Sequence, residues 1–143
     1  MTTPRETISE ETIRKQLLAW NQHDIPATAA FYTQDAVAYD PQYPQPLQGK
    51  EAIKEDAETF VRAFPDIHME LSSIVAKGDN VGFEAVASGT HKGPLEGPTG
   101  SIPPTNKRVQ MKFAIFCRVN EQGLITEERR YFDIAGMAAQ LGI

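Results

Sequence analysis

The chain predicts an α+β fold, a curved antiparallel sheet with helices packed over its concave side around a mostly apolar pocket. Two periodicities carry that expectation. Apolar residues recur at three- and four-residue spacing up to Phe64, the mark of amphipathic helices, and at two-residue spacing between Ile67 and Asp133, the mark of half-buried strands. Helices first and strands after is the order of an α+β domain rather than of alternating βα units. No internal repeat and no linker interrupts residues 1–143, so one domain is expected.

Thr7-Ile8-Ser9-Glu10 has capping-box spacing and predicts the start of the first helix. Within it Ile13, Leu17 and Trp20 form one apolar stripe, with Arg14, Lys15 and Gln16 mostly on the wet side. Asn21-Gln22-His23-Asp24 ends that helix. Asp24 before Ile25-Pro26 predicts a short second one, because proline is tolerated in a first turn. Ala36 to Tyr39 reads as a short strand, and Pro41, Pro44 and Pro46 make the next stretch a loop, since proline has no amide to donate. From Gly49 the helical period returns, with Ile53, Ala57, Phe60 and Phe64 on one face until Pro65 stops it.

Ile67, Met69, Leu71, Ser73 and Val75 then alternate with polar residues. Lys77-Gly78-Asp79-Asn80 supplies a turn into Val81, Phe83, Ala85 and Ala87, giving a hairpin. Residues 93–104 are so rich in glycine and proline that a long loop is expected, and such loops are often functional. Strands follow over Val109–Val119 and Leu124–Phe132, joined by a turn at Asn120–Gly123. Ile134 to Leu141 closes the chain as a helix ahead of Gly142.

Composition excludes several classes of function. A net charge of −5 and a pI near 5.2 disfavour nucleic acid and anionic membrane as partners, whose recognition needs clustered Lys and Arg. The longest apolar run, Phe113 to Cys117, reads as a buried strand and falls far short of a membrane span. The first residues lack a secretory core and cleavage site, so a cytoplasmic protein is expected. Cys117, the one cysteine, reads as a small core hydrophobe. Three scattered histidines offer no zinc spacing, His68 and Glu70 lack a third ligand, and no metal site is expected. No nucleophile elbow, Walker loop or dinucleotide fingerprint is present.

Several motifs match a known family in order and spacing. They are Trp20-Asn21-Gln22-His23-Asp24, Tyr32 to Asp35, Gly49-Lys50-Glu51-Ala52-Ile53, Gly89-Thr90-His91-Lys92-Gly93, Pro103-Pro104-Thr105, Asn120 to Ile125, and Tyr131-Phe132-Asp133 with Leu141-Gly142 eight residues on. Together they resemble the SnoaL-like polyketide cyclases. The resemblance implies the cone-shaped NTF2-like fold, commonly a homodimer. It also implies an aspartate at the position of Asp133 acting as acid and base in an intramolecular aldol ring closure, without metal or organic cofactor. Members usually carry a tryptophan four residues before that aspartate, where this chain has Arg129, and residues 97–101 lengthen the usual route into Ile102-Pro103-Pro104.

Read from the residues, strand parity puts Arg129, Tyr131 and Asp133 on one face of the last strand and Arg130 and Phe132 on the other. If the first face lines the pocket, burial raises the proton affinity of Asp133 toward useful values; the other reading, compatible with it, is that Asp133 caps the last helix. His91, in phase with Phe83, Ala85 and Ala87, could assist it or simply bond the glycine-rich backbone nearby. Arg129 would need a carboxylate such as Glu84, Asp40 or Asp133, or an anionic substrate. The expected site is thus Asp133 and His91 as catalytic groups, with Tyr131, Arg129, Trp20, Tyr39, Phe60 and Phe113 contacting substrate. Two alternatives stay open, a non-catalytic binder of small hydrophobic ligands and a dimerising scaffold with a filled core.

Overall fold

The computed structural model describes residues 2–143. Helix α1 (Pro4–Asn21) begins one turn earlier than the Thr7 spacing suggests. Thr3 and Glu6 form the capping box, and Pro4 takes the first helical position, where its missing amide costs nothing. Tertiary contacts hold that extra turn. Arg5 donates to the Val119 carbonyl at 2.8 Å, Ser9 to the Gly78 carbonyl at 3.3 Å, and the Gly78 amide donates to Glu6 at 3.0 Å.

Helix α2 (Ile25–Ala29) is capped by Asp24, whose side chain accepts from the Ala27 amide. Strand β1 (Tyr32–Tyr39) is twice the length its sequence suggests. It leads through the proline loop to β2 (Leu47–Gln48) and then to α3 (Lys50–Ala63). Strands β3 (His68–Lys77) and β4 (Asn80–Thr90) form the expected hairpin. The glycine-rich stretch is not wholly irregular, since β5 (Leu95–Gly97) and β6 (Gly100–Ile102) pair as a small separate hairpin. Buried Leu95 stands opposite Ile102, and Gly100, at φ 129°, makes the turn only glycine adopts easily. Strand β7 (Arg108–Val119), strand β8 (Ile125–Tyr131) and helix α4 (Ile134–Leu141) complete the chain, with Gly142 left-handed at the end of α4.

The main sheet runs β2-β1-β8-β7-β4-β3, antiparallel except where β1 lies parallel to β8. Helices α1 and α3 cross its inner face. The core divides into two clusters, one around Ile13, Tyr32, Ile53, Phe83 and Ile115, the other around Phe64, Ile67, Val109, Met111 and Leu141. Among the described residues no helix is long and apolar enough to cross a membrane.

One irregularity in the β7–β8 pairing decides what the sheet presents inward. Val119 pairs with Ile125 and Arg118 with Glu127, so Thr126 is an extra residue, a β-bulge. Beyond it the register carries Glu128 opposite Cys117 and Arg130 opposite Ile115, both inward-facing partners. A single added residue turns every later side chain to the other face. Arg130 and Phe132 therefore point in, and Arg129 and Tyr131 point out.

Candidate active site

A half-enclosed cavity of about 150 Å³ lies between the sheet and helices α1 and α3. Its walls are largely apolar. Leu17 and Trp20 come from α1, Ile53, Ala57 and Phe60 from α3, and Phe83, Met111, Phe113 and Ile115 from the sheet. Phe132 and Met137 close it beside α4, with Phe113 and Phe132 ring centroids 4.6 Å apart. The three- and four-residue stripes of α1 and α3 are what face the cavity.

One part of the wall is charged. Arg130 donates from Nε to Glu128 at 2.7 Å and from Nη1 to both Asp56 at 2.6 Å and Asp40 at 3.0 Å. Tyr32 donates to the other Glu128 oxygen at 2.7 Å, with the Cys117 thiol 3.7 Å from it. Asp56 also accepts from the Tyr43 hydroxyl at 2.5 Å, and Asp40 from the Gln42 amide at 2.8 Å. All three carboxylates are buried, Asp40 at the end of β1, Asp56 within α3 and Glu128 on β8. Three carboxylates around one guanidinium leave two negative charges uncompensated if all ionise, a costly state away from water.

Burial raises the pKa of Asp40 above the usual carboxylate range, an effect that Arg130 only partly offsets. Burial also opposes the charge of Arg130, yet the carboxylates around it outweigh burial and hold it firmly cationic. The phenol of Tyr32 and the thiol of Cys117 are both pushed well up, by burial and then by the Glu128 charge, so each keeps its proton and donates a hydrogen bond to Glu128. Nη2 of Arg130 has no protein acceptor among the described residues. It retains some solvent access, and Arg130 is one of the residues lining the cavity.

The structure redraws the expected site. Asp133 is exposed and caps α4, its Oδ1 accepting from the Gly136 amide at 2.9 Å; it does not line the cavity. Tyr131 lies on the outer sheet face, 53% exposed, edge-on to Phe116. Arg129 shares that face, paired with Glu127 at 2.5 Å and 6.0 Å from the Phe116 ring. Tyr39 is also outward and 45% exposed. The Thr126 bulge accounts for Arg129 and Tyr131, and the end of β8 at Tyr131 accounts for Asp133, which begins a helix rather than continuing a strand.

His91 does point inward and is fully buried, but it sits behind Phe64 and lines no part of the cavity. Its Nδ1 accepts from the Thr105 amide at 3.1 Å, while its backbone bonds Lys107 and Asn106, so it pins the base of the 91–107 loop. Burial lowers its pKa, against a smaller opposing effect from the Gly93 backbone, and keeps the ring neutral. Trp20, Phe60 and Phe113 are in the cavity wall.

In this charged cluster Asp56, Glu128 and Tyr32 had no expected site role, Asp40 was expected only as one possible partner of Arg129, and Arg130 was placed on the strand face opposite the expected site. A signal for them existed in Glu127-Glu128-Arg129-Arg130, four charges on a strand that must bury one face. Among the described residues no group of His, Cys, Asp and Glu is arranged to hold a metal ion. In the carboxylate cluster the guanidinium occupies the centre a cation would take.

The profile of the SnoaL-like polyketide cyclases matches residues 11–141. No curated protein matches the chain. Among solved structures, a SnoaL-like protein from Jannaschia sp. CCS1, provisionally assigned as a polyketide cyclase, is similar at 20% identity and a TM-score of 0.84, over 100% of this chain and 98% of that one. IdmH from Streptomyces antibioticus, also provisionally assigned as a polyketide cyclase, is 29% identical with a TM-score of 0.75, over 94% of this chain and 99% of its own. A protein of ketosteroid isomerase-like fold from Catenulispora acidiphila, solved with trimethylamine, is 22% identical with a TM-score of 0.76, over 99% and 95%.

Proposed function

This chain belongs to the SnoaL-like polyketide cyclase family, and from that premise we propose that it is an acid/base catalyst of the cyclase or isomerase type acting on a small hydrophobic carbonyl compound. The observation that carries the reading is Asp40, a carboxyl of raised proton affinity in an apolar cavity beside an arginine with one nitrogen still free to donate. The provisional assignment of IdmH supports the same class of reaction.

In the proposed cycle the ionised Asp40 takes a proton from the carbon next to the substrate carbonyl. Its raised pKa makes it a stronger base than an ordinary aspartate. Arg130 Nη2 donates to the carbonyl oxygen as negative charge develops there, a role suited to a donor held rigid by three carboxylate contacts. In a ring closure the resulting carbanion attacks a second carbonyl carbon of the same molecule, and Asp40 returns its proton to the new alkoxide. The apolar wall excludes water that would otherwise protonate the carbanion first.

Asp40→Asn keeps the shape and removes the exchangeable proton. Incubating wild type and variant in deuterated water with a panel of hydrophobic 1,3-diketones and linear polyketones, and following exchange next to the carbonyl together with ring closure, tests the assignment. A loss of about 10²–10⁴-fold in the variant is expected. Equal rates in the two proteins would refute it, and saturable binding without exchange or product in wild type would make this a carrier instead.

A further inference from the structure

The proline loop after β1 reaches both aspartates of the charged cluster on the oxygens that Arg130 does not hold. The Gln42 amide donates to Asp40 Oδ1 at 2.8 Å, and the Tyr43 hydroxyl donates to Asp56 Oδ1 at 2.5 Å. The Tyr43 amide bonds back to the Asp40 carbonyl at 3.1 Å. Pro41, Pro44 and Pro46 restrict the loop's backbone, so the phenol is presented at little cost in ordering.

The aspartates are otherwise placed alike. Both are buried, and both give Oδ2 to the same nitrogen of Arg130. What differs is the quality of the donors. Asp56 receives a phenol at 2.5 Å and the guanidinium at 2.6 Å, whereas Asp40 receives an amide at 2.8 Å and the guanidinium at 3.0 Å. Donors to a carboxylate favour its charged form, and shorter charge-assisted bonds favour it more.

We infer that Tyr43 is a positioning residue whose hydroxyl holds Asp56 in its charged form and so leaves Asp40 as the aspartate of the pair that takes up and releases a proton. The inference rests on the catalytic reading of Asp40 above and adds the group that selects it. Other charged and titratable groups face the pair. Glu128 is met by Arg130 Nε, Tyr32 and Cys117 from the sheet. Lys54, from α3, shares the cavity wall and makes no ion pair among the described residues. Tyr43 keeps its own proton, because burial and the Asp56 charge push its pKa up. The raised pKa of Asp40 agrees with the assignment.

The test is a titration that needs no substrate. Protein labelled with ¹³C at the aspartate carboxyl carbons is followed by NMR from pH 3 to pH 9, with Asp40→Asn and Asp56→Asn identifying the two resonances. In wild type the Asp40 midpoint is expected above that of an ordinary aspartate. Tyr43→Phe keeps the ring and removes the hydroxyl, and the Asp40 midpoint is expected to fall by about one pH unit or more while that of Asp56 rises. Placing 3-fluorotyrosine at position 43, a stronger donor, should move Asp40 the opposite way. Midpoints that stay put in both proteins overturn the inference. Failure of the catalytic reading shows separately, as undiminished turnover in Asp40→Asn, whatever Tyr43 does to the titration.

Discussion

Replacing Arg130 by methionine removes the cation that bonds three buried carboxylates. The cluster makes three charge-assisted bonds to that side chain, at 2.6, 2.7 and 3.0 Å. Methionine fills much of the same space, so the loss comes mainly from leaving acids buried without a partner rather than from a void. Removing one partner of a buried ion pair typically costs about 3–5 kcal/mol. With an unfolding entropy of roughly 2.1 cal/mol/K per residue, that corresponds to a fall in Tm of about 10–17 °C for a chain of this size.

The pH dependence separates this cause from simple mispacking. In Arg130→Met all three carboxyls gain proton affinity, so their folded pKa values lie above the unfolded ones. A carboxyl raised in the folded state binds more protons folded than unfolded, and protonation then stabilises the fold as pH falls. Thermal melts followed by circular dichroism between pH 5 and pH 8 should therefore show the deficit shrinking on the acid side. A variant that melts within a few degrees of wild type at pH 7, or a deficit equal at both ends of the range, would refute the argument that Arg130 neutralises buried charge.

Two further outcomes follow from the placement of exposed carboxylates. Asp133→Ala should lose about 1 kcal/mol of stability through its helix cap, and Asp133→Asn, which still caps, almost none; undiminished turnover in both, measured against wild type, is the sign that Asp133 stands outside the chemistry. Asp66 accepts from the Thr90 amide at 2.7 Å, which lowers its pKa, so its contribution is present above the ordinary aspartate range and lost as pH falls through the lowered folded value. Asp66→Ala should cost under about 1 kcal/mol at pH 7, since the group is exposed, and progressively less as pH falls through the lowered folded value; a cost that does not change with pH in urea titrations would count against that assignment.

Much of the architecture was legible because it rests on local patterns. The stripes Ile13, Leu17, Trp20 and Ile53, Ala57, Phe60, Phe64 are properties of a 3.6-residue period, and all of them line the cavity except Ile13, which is buried in the core. Asp24 capping α2 and Gly142 ending α4 are decided within one turn of backbone. Where two local signals were equivalent, as with Thr3-Glu6 and Thr7-Glu10, contacts from Val119 and Gly78 selected the first. The hairpin at residues 95–102 escaped notice because its glycines and prolines read as loop, while buried Leu95 gives it a tertiary reason to pair.

The sequence by itself determined the fold class, the family and the apolar wall of the cavity, since periodicity and motif order persist whatever the far ends of the chain do. Only the tertiary structure decided the chemistry of the site. Arg130 meets Asp40 and Asp56 across 90 and 74 residues of chain, a distance no local pattern spans. Which of Arg129 and Arg130 faces the cavity turned on one extra residue at Thr126, because side chains on a strand alternate and a bulge reverses their phase.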